Sequence, residues 1–388
     1  MRKEDNTPAL RFPEFKDEWG KKRLGQISKW SSGGTPSKDN PLYWNGDIPW
    51  ISASTMRGIE YSDSVHKITL EGLKNGSRLV PKGNLLILVR GSMLFNTIPI
   101  GITARDVAFN QDVKSIVVDE KNSTKFVLYW FFSAENMILN MVTGTGIGAG
   151  KLDLSDLRNL PLQIPALAEQ QKIASFLASI DEKLTQLKKQ KALLEQYKKG
   201  VMQKIFSQEI RFKDENGEEF PEWEEKKLGD VAVKKSSSIA ANKIEDNNGE
   251  FIIYGAAGVL KTINFFTESD NYVSIVKDGA GVGRLFYCAG KTSVLGTLDI
   301  IKPKSEINTH FLFALLENID FTKYITGSTI PHIYFKDYSH TKFKVPCLAE
   351  QTKIANFLSS LDDKINHCIV QIEKTKPWEK GLLQKMFC

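Results

Sequence analysis

Apolar residues recur every three or four positions through two long stretches of the chain, and both stretches carry the same pattern. In the first, Ile173, Leu177, Ile180, Leu184, Leu187, Leu194, Val201 and Ile205 form a seam, with Lys191 and Lys198 at two of its steps. In the second, the seam is Ile354, Leu358, Leu361, Ile365, Cys368, Ile372, Leu382 and Met386. Each seam predicts a long helix, begun by a proline and a polar first turn: Pro165 ahead of Glu169 and Gln170, Pro346 ahead of Glu350 and Gln351. Moving residues 165–206 forward by 181 places leaves 19 of 42 positions identical without a gap, which identifies an internal duplication. Steps of three and four under-wind a helix pair, so the two copies are expected to pack together as an intramolecular coiled coil. Pro377 stands where the first copy has Gln196, and an interior proline predicts a break near Thr375–Trp378 with a restart through Gly381–Phe387.

Ahead of each helix the periodicity changes. A turn-rich leading segment at 11–28 is echoed at 211–232, where Trp19 to Gly25 matches Trp223 to Gly229. The first globular unit, about 23–164, shows short strand patterns at Ile48–Ile51, Asn84–Val89 and Val113–Val118, then a helical pattern near Thr124–Val142. After it comes TGTGIGAG at 143–150, expected as a loop without regular structure. The second unit, about 230–345, has strand patterns at Phe251–Tyr254, Tyr272–Val276 and Thr297–Ile301, a helical pattern near Thr309–Tyr324, and Thr326-Gly327-Ser328-Thr329 before the coil. The strand segments of the two units barely match. A repeated scaffold with diverged faces is expected where two units hold different ligands in equivalent positions. The boundaries implied are 1–164, 165–207, 208–345 and 346–388.

Composition narrows the class. A length of 388 residues gives room for two or three domains, and 41% hydrophobic with 25% charged residues suits a soluble globular chain. The longest purely apolar run, Leu85–Val89, is too short to span a bilayer, and Met1-Arg2-Lys3-Glu4-Asp5 carries acid where a signal peptide would turn apolar, so no membrane association and a cytoplasmic location are expected. Cys288, Cys347, Cys368 and Cys388 have neither metal-ligand nor disulfide-framework spacing and are expected as free thiols. The net charge of +6 comes from the coil: residues 172–206 hold eight Lys against three acids, and 353–387 hold six against four, leaving about −1 for the rest. Lysines flanking a seam are ordinarily a solvated face, so charge alone does not point to nucleic acid.

Fragments that resemble catalytic motifs fail on context. Asn40-Pro41-Leu42-Tyr43 approaches the signature with which adenine-amino methyltransferases grip a flipped base, but no glycine-rich cofactor turn precedes it, and a plain turn is expected. Asp278-Gly279-Ala280-Gly281-Val282-Gly283 is followed by a strand pattern, Arg284-Leu285-Phe286-Tyr287, which makes it a β-turn with close backbone approach. Gly290-Lys291-Thr292 ends like a phosphate loop, yet Leu285 stands where the cradle glycine belongs. Of the Asp-x-Lys triplets, those at Asp181 and Asp362 sit on the coil and are explained by it, the one at Asp119 lacks an assignable upstream acidic partner, and His66, His310, His332, His340 and His367 form no metal-binding cluster. No active site and no metal site are expected in this chain.

Two diverged units, each followed by a helix opening Pro-x-Leu-Ala-Glu-Gln-x-Lys-Ile-Ala-x-Phe-Leu and closing Lys-Gly-x-x-Gln-Lys-x-Phe, resemble the specificity subunit of type I restriction-modification enzymes. Asp47-Ile48-Pro49-Trp50-Ile51 and Gly296-Thr297-Leu298-Asp299 also look like segments of that family's target-recognition domains. The resemblance covers nearly the whole chain. It implies an α+β fold with two target-recognition domains in pseudo-twofold tandem repeat, separated by an antiparallel intramolecular coiled coil. It also implies a non-catalytic reader of double-stranded DNA, each domain taking one half of a split target. In that family modification (methyltransferase) subunits, two per chain, dock on the coil and methylate adenine, and restriction (motor-nuclease) subunits add translocation and cleavage. S-adenosylmethionine, ATP and Mg are accordingly expected on those partners and no cofactor on this chain. The ~37 residues from Glu169 to Ile205 would span about 55 Å at ~1.5 Å per residue, enough to hold half-sites around one helical turn apart.

Loop donors and acceptors suited to base edges or phosphates are Arg57, Arg90, Arg105, Asn110 and Gln111 in the first unit, and Lys277, Arg284 and His332 in the second. Lys188 and Lys189 are the candidate docking positions on the coil. Two other readings stay open at this point: a self-sufficient DNA adenine methyltransferase, which lacks its cofactor motif, and a coiled-coil scaffold that binds no DNA, which leaves the divergence of the two faces unexplained.

Overall fold

The structure is a computed structural model that describes residues 7–146 and 148–387, so the expectations for Met1–Asp5 and Cys388 lie outside the described residues. The chain forms two compact α+β units, one of residues 1–187 with 371–388, the other of 188–370. Each holds a globular part together with half of each long helix, Leu167–Phe206 and Leu348–Met386.

In the first unit the strand Leu85–Leu88 is buried at every position and lies at the centre of a five-stranded sheet. Its neighbours are Val113–Val118, then Ser28–Ser32, on one side and Ile100–Thr103, then Glu60–Tyr61, on the other. The helix Thr124–Ser133, capped by the Ser123 side chain, buries Phe126 through Phe131. The same core takes Ile173, Ala174, Leu177 and Ile180 from the first half of one long helix and Leu382, Met386 and Phe387 from the end of the other. Ring contacts knit them: Phe126 with Phe387 at 5.1 Å and Phe176 with Trp378 at 6.3 Å between centroids. A smaller sheet joins Trp44–Ile51 in parallel to Val107–Phe109.

In the second unit Tyr272–Val276, also buried throughout, lies between Leu298–Pro303 and Leu285–Cys288, with Ala232–Ser236 outside. The helix Thr309–Glu317, capped by Asn308, buries Phe311, Leu312, Ala314, Leu315 and Leu316. Here the second half of the first long helix supplies Met202 and Ile205, and the first half of the second supplies Ile354, Ala355, Leu358 and Leu361. A smaller sheet again contains a parallel pair, Phe251–Gly255 with Ser293–Val294. The two units therefore share the order of four main-sheet strands, the first unit adding Glu60–Tyr61 at its edge, although their strand residues differ, a likeness that identity between strand segments did not reveal.

The polar pair that opens each long helix explains why the frame recurs. Glu169, 2% exposed, accepts from Arg11 Nε at 2.7 Å and from the Trp19 indole at 3.3 Å. Glu350, 0% exposed, accepts from Arg211 Nη2 at 3.0 Å and from the Trp223 indole at 2.9 Å. The hydrogen bond to Glu350 raises the Arg211 pKa above its ordinary value. Gln170 accepts from the Ser123 backbone N–H and donates to the Pro165 carbonyl; Gln351 does the same with Asn308 and Pro346. The leading strands Gly20–Arg23 and Glu224–Lys227 close each unit by pairing antiparallel with Pro161–Ile164 and Lys342–Val345, the strands that run into the helices.

Every seam position named above is buried or half-buried, and Cys288, Cys347 and Cys368 are free thiols. Among the described residues no helix is long and apolar enough to cross a membrane. Two expectations are corrected. Thr143–Gly144 and Gly150–Lys151 are short paired strands rather than irregular loop, because they find a third partner in Arg90–Gly91. The second long helix runs through Pro377 without a break. Pro377 is exposed and off the seam, and Glu373, whose carbonyl loses its N–H partner, is exposed as well, so water can take that bond. The packing of Ile372, Leu382 and Met386 then carries the helix across.

Pro377→Ala should raise the stability of the full chain by up to ~3 kcal/mol, read as a higher urea midpoint. An unchanged or lower midpoint would mean that the packing requires the bend a proline imposes. Glu350→Ala should cost about 2–4 kcal/mol in the same assay, since the buried Trp223 N–H loses its acceptor and Arg211, only partly open to solvent, loses its buried counter-charge and keeps the Phe220 and Pro221 carbonyls and the exposed Glu222.

Candidate functional site

In the first unit the loops that carry most of the candidate residues converge where the central strand Leu85–Leu88 ends. Val89 donates its N–H to Asp112 O at 2.8 Å and accepts at its carbonyl from Leu152 N at 2.9 Å, which fixes the next residue, Arg90, opposite Lys151. The hairpin behind Lys151 is closed by Thr145, whose N–H and hydroxyl both donate to Ala149 O at 2.8 Å. Gly150 is a steric requirement, because an added Cβ would stand 2.8 Å from Val142 Cγ1. Gln111 accepts from the Thr35 hydroxyl at 2.7 Å and gives its carbonyl to Lys114 Nζ at 2.6 Å. Arg57 follows the turn Ala53–Thr55, which packs beside Gly91. Arg57, Arg90 and Lys151 are exposed and make no side-chain hydrogen bond or ion pair among the described residues.

Two candidates separate from this cluster. Asn110 is 7% exposed, and its side-chain oxygen accepts from the N–H groups of Asp112 and Val113, so its carbonyl is spent on shaping the turn. Arg105 sits in the turn between Ile100–Thr103 and Val107–Phe109, beyond Leu85 at the opposite end of the central strand.

The second unit repeats the arrangement with other residues. Lys277 follows Tyr272–Val276, donates its N–H to Thr297 O at 3.0 Å and accepts at its carbonyl from Ile333 N at 3.0 Å. Asp278 then stands opposite His332, and His332 pairs with Thr326 through two 2.9 Å backbone bonds. By these bonds Arg90 corresponds to Asp278, Lys151 to His332, Lys114 to Asp299, and Asn110 and Gln111 to Leu295 and Gly296. Lys277, Arg284 and His332 are brought together, but each is engaged. Lys277 Nζ lies 3.6 Å from Asp299, the Arg284 guanidinium donates to Ala256 O at 2.8 Å, and His332 Nδ1 lies 3.1 Å from Ile330 O. Asp299 is 3% exposed and also accepts from Ser236 Oγ at 2.9 Å. The glycines at 279, 281 and 283 all have positive φ, which lets this turn fold tightly under the Arg284 guanidinium.

The residues chosen from the sequence as base or phosphate readers did not include Lys151, Lys114, Asp278 or Asp299, although Asp278 opens the glycine turn and Asp299 ends a segment already noted. The Thr-Gly turn before each of Lys151 and His332 was the available signal; what it lacked was the register that sets each hairpin against a strand end. Burial lowers the Lys114 pKa. Elsewhere Asn40 caps a short turn by accepting from Leu42 N–H, Asp119 accepts from Lys121 N–H and Asn122, Asp181 accepts from the Tyr129 hydroxyl, and Asp362 pairs with Lys198 at 2.8 Å. Each of these side chains is used to shape or join elements. No group of His, Cys, Asp and Glu among the described residues could hold a metal ion. What the two platforms offer is a set of donors and acceptors on loops over a rigid sheet, cationic and unpaired in the first unit, mixed and internally paired in the second.

Comparisons with known proteins agree on one family. The family described as Type I restriction modification DNA specificity domain matches residues 16–196 and 221–374. The EcoR124I/EcoR124II specificity subunit of Escherichia coli is 34% identical over 174 residues, covering 44% of this chain and 43% of that one. The MjaIX specificity subunit of Methanocaldococcus jannaschii is 25% identical over an alignment of 405 positions, covering 95% and 92%. The solved S subunit of a type I restriction-modification system from M. genitalium superposes with a TM-score of 0.72 at 18% identity, covering 98% and 99%.

Asn110→Ala should destabilise the chain by about 1–2 kcal/mol because two turn N–H groups lose their acceptor. Arg90→Ala should stay within ~0.5 kcal/mol of the parent, as expected of an unpaired surface group. Urea unfolding distinguishes them, and equal losses would refute the division into turn-forming and unpaired residues.

Proposed function

The chain belongs to the type I restriction modification DNA specificity family, and from that premise we propose that its two strand-end platforms each read one half of a split double-stranded DNA target. As a specificity subunit it is a recognition component and not an enzyme.

The observation that carries the two-reader proposal is the register match with unlike residues: Arg90 and Lys151 in one unit occupy the places of Asp278 and His332 in the other. Arg and Lys donors suit guanine O6/N7 or phosphate, whereas carboxylates accept from cytosine or adenine amino groups, so the two faces favour different bases. Arg57 and Gln111 flank the first face; Lys277 and Arg284 brace the second. The long helices, 40 and 39 residues without interruption, are each about 60 Å long and suit a spacer between half-sites roughly one DNA turn apart. The exposed Lys188 and Lys189 then belong to the surface on which two modification subunits dock. Adenine methylation with S-adenosylmethionine is the chemistry of those partners, and translocation and cleavage with ATP and Mg that of restriction subunits.

Co-expression with the modification subunit, followed by genome-wide mapping of methylated adenines, should return a split, asymmetric motif. Arg90→Ala should relax or abolish one half of it, at about 1–3 kcal/mol if the contact is bidentate, while Lys188→Glu with Lys189→Glu should weaken partner recruitment and leave the motif intact. A contiguous motif, or methylation by this chain alone, would refute the proposal.

A further inference from the structure

Beside the first platform lies an aromatic cavity of about 260 Å³ lined by Lys38, Trp44, Trp50 and His66. The two indoles meet edge to face with centroids 5.4 Å apart, and His66 meets Trp50 at 6.4 Å. Trp50 is 6% exposed and packs with Ile68 and Ala108, so it forms a fixed floor, whereas Lys38 and His66 are exposed. Both indole N–H donors are already used: Trp44 donates to Ser37 O at 2.9 Å and Trp50 to Gly34 O at 3.0 Å. Neither tryptophan therefore has an indole N–H left to donate to a ligand, and what they add to the cavity is aromatic surface. The loop that accepts these bonds also carries Thr35, whose hydroxyl holds Gln111, so the cavity is tied directly to the platform. Apolar side chains next to it in the chain stand in solvent, Val65 at 89% and Leu42 at 72% exposure.

We propose that this cavity accepts one unpaired nucleobase from the half-site read by the first unit, with Lys38 holding the adjoining phosphate. The proposal rests on the DNA-reading function above. Bases that leave the stack are held by aromatic side chains together with hydrogen bonds to their edges, and where the indole N–H donors are spent it is the sequence-tolerant aromatic part of that grip that the tryptophans supply. The volume lies below the ~300–1,000 Å³ of sites for drug-sized ligands, which suits a single ring system. A cation beside aromatic faces matches a base with its phosphate attached. The corresponding strand of the second unit reads Phe251-Ile252-Ile253-Tyr254 and has no tryptophan, so base capture is confined to one half of the target.

The test uses the full chain assembled with its modification subunits and duplexes bearing the mapped motif. One base pair at a time is mismatched by replacing the partner base, the methylated adenine pairs being left intact, and binding is read by fluorescence anisotropy. At one position in the first half, a mismatch should tighten binding roughly 10-fold, because the cost of unpairing has been met in advance. Trp44→Ala and His66→Ala should each abolish that gain and Trp44→Phe should keep it. His66 is exposed, so its variant serves even if Trp44→Ala folds poorly. Lys38→Ala should lower the slope of log affinity against log salt by about one. The proposal is overturned if no first-half mismatch tightens binding, if the gain survives both alanine variants, or if dAMP alone binds more tightly than the duplex, which would assign the cavity to a free nucleotide. An assembly with no preference among duplex sequences would instead refute DNA reading itself.

Discussion

A buried carboxylate cannot stay charged without partners, and this chain places one in the first turn of each long helix. The N-terminal end of a helix already favours negative charge there. Glu169 and Glu350 then draw in an arginine and an indole from segments that precede them by more than a hundred residues. The glutamine that follows ties down the cap of the helix in the adjoining globular part. Two residues thus join leading segment, globular part and long helix, and they do so once in each unit. Losing the carboxylate would strip the buried indole of its acceptor and the arginine of its counter-charge, and both copies keep the same set while the strands between them drift.

The recurrence has a functional corollary. Polar satisfaction is demanded at the end of each unit where chain, strand and helix meet, and it constrains residue type tightly. At the other end, where the central strand gives way to loops, the backbone bonds of Val89 and Lys277 hold the loops in register without specifying side chains. Apart from turn-shaping positions such as Asn110 and Gly150, residues there can change without cost to the frame. The first platform has gathered Arg57, Arg90 and Lys151, cations with no side-chain partner among the described residues, and the second has gathered carboxylates and cations that neutralise one another. One architecture can therefore present two unlike surfaces.

Inside the seam, a buried polar contact does a related job in the second unit. Lys198 is 9% exposed and reaches Asp362 at 2.8 Å and Glu317 at 3.0 Å. Burial lowers its pKa, but the hydrogen bond to Asp362 and the charges of Glu317 and Asp362 outweigh that, and the net shift is upward. A cation held this way pairs well in one alignment of the two helices only, so it discriminates between registers more than it adds stability.

By itself the sequence determined the duplication, the two long helices with their seams and starts, and strands such as Val113–Val118 and Tyr272–Val276, because periodicity and helix-start chemistry are written within a few residues of one another. The resemblance in the helix openings was equally local. Only the tertiary structure decided which residues share a platform. It set Lys151 against Arg90 and His332 against Asp278, withdrew Asn110 into a turn and moved Arg105 to the far end of the strand. It also carried the second helix through Pro377. The reason is common to all of these: cross-strand register, burial and the fate of an orphaned carbonyl depend on groups remote in the chain, and a pleated strand accepts many residues at a position so long as its backbone bonds are met.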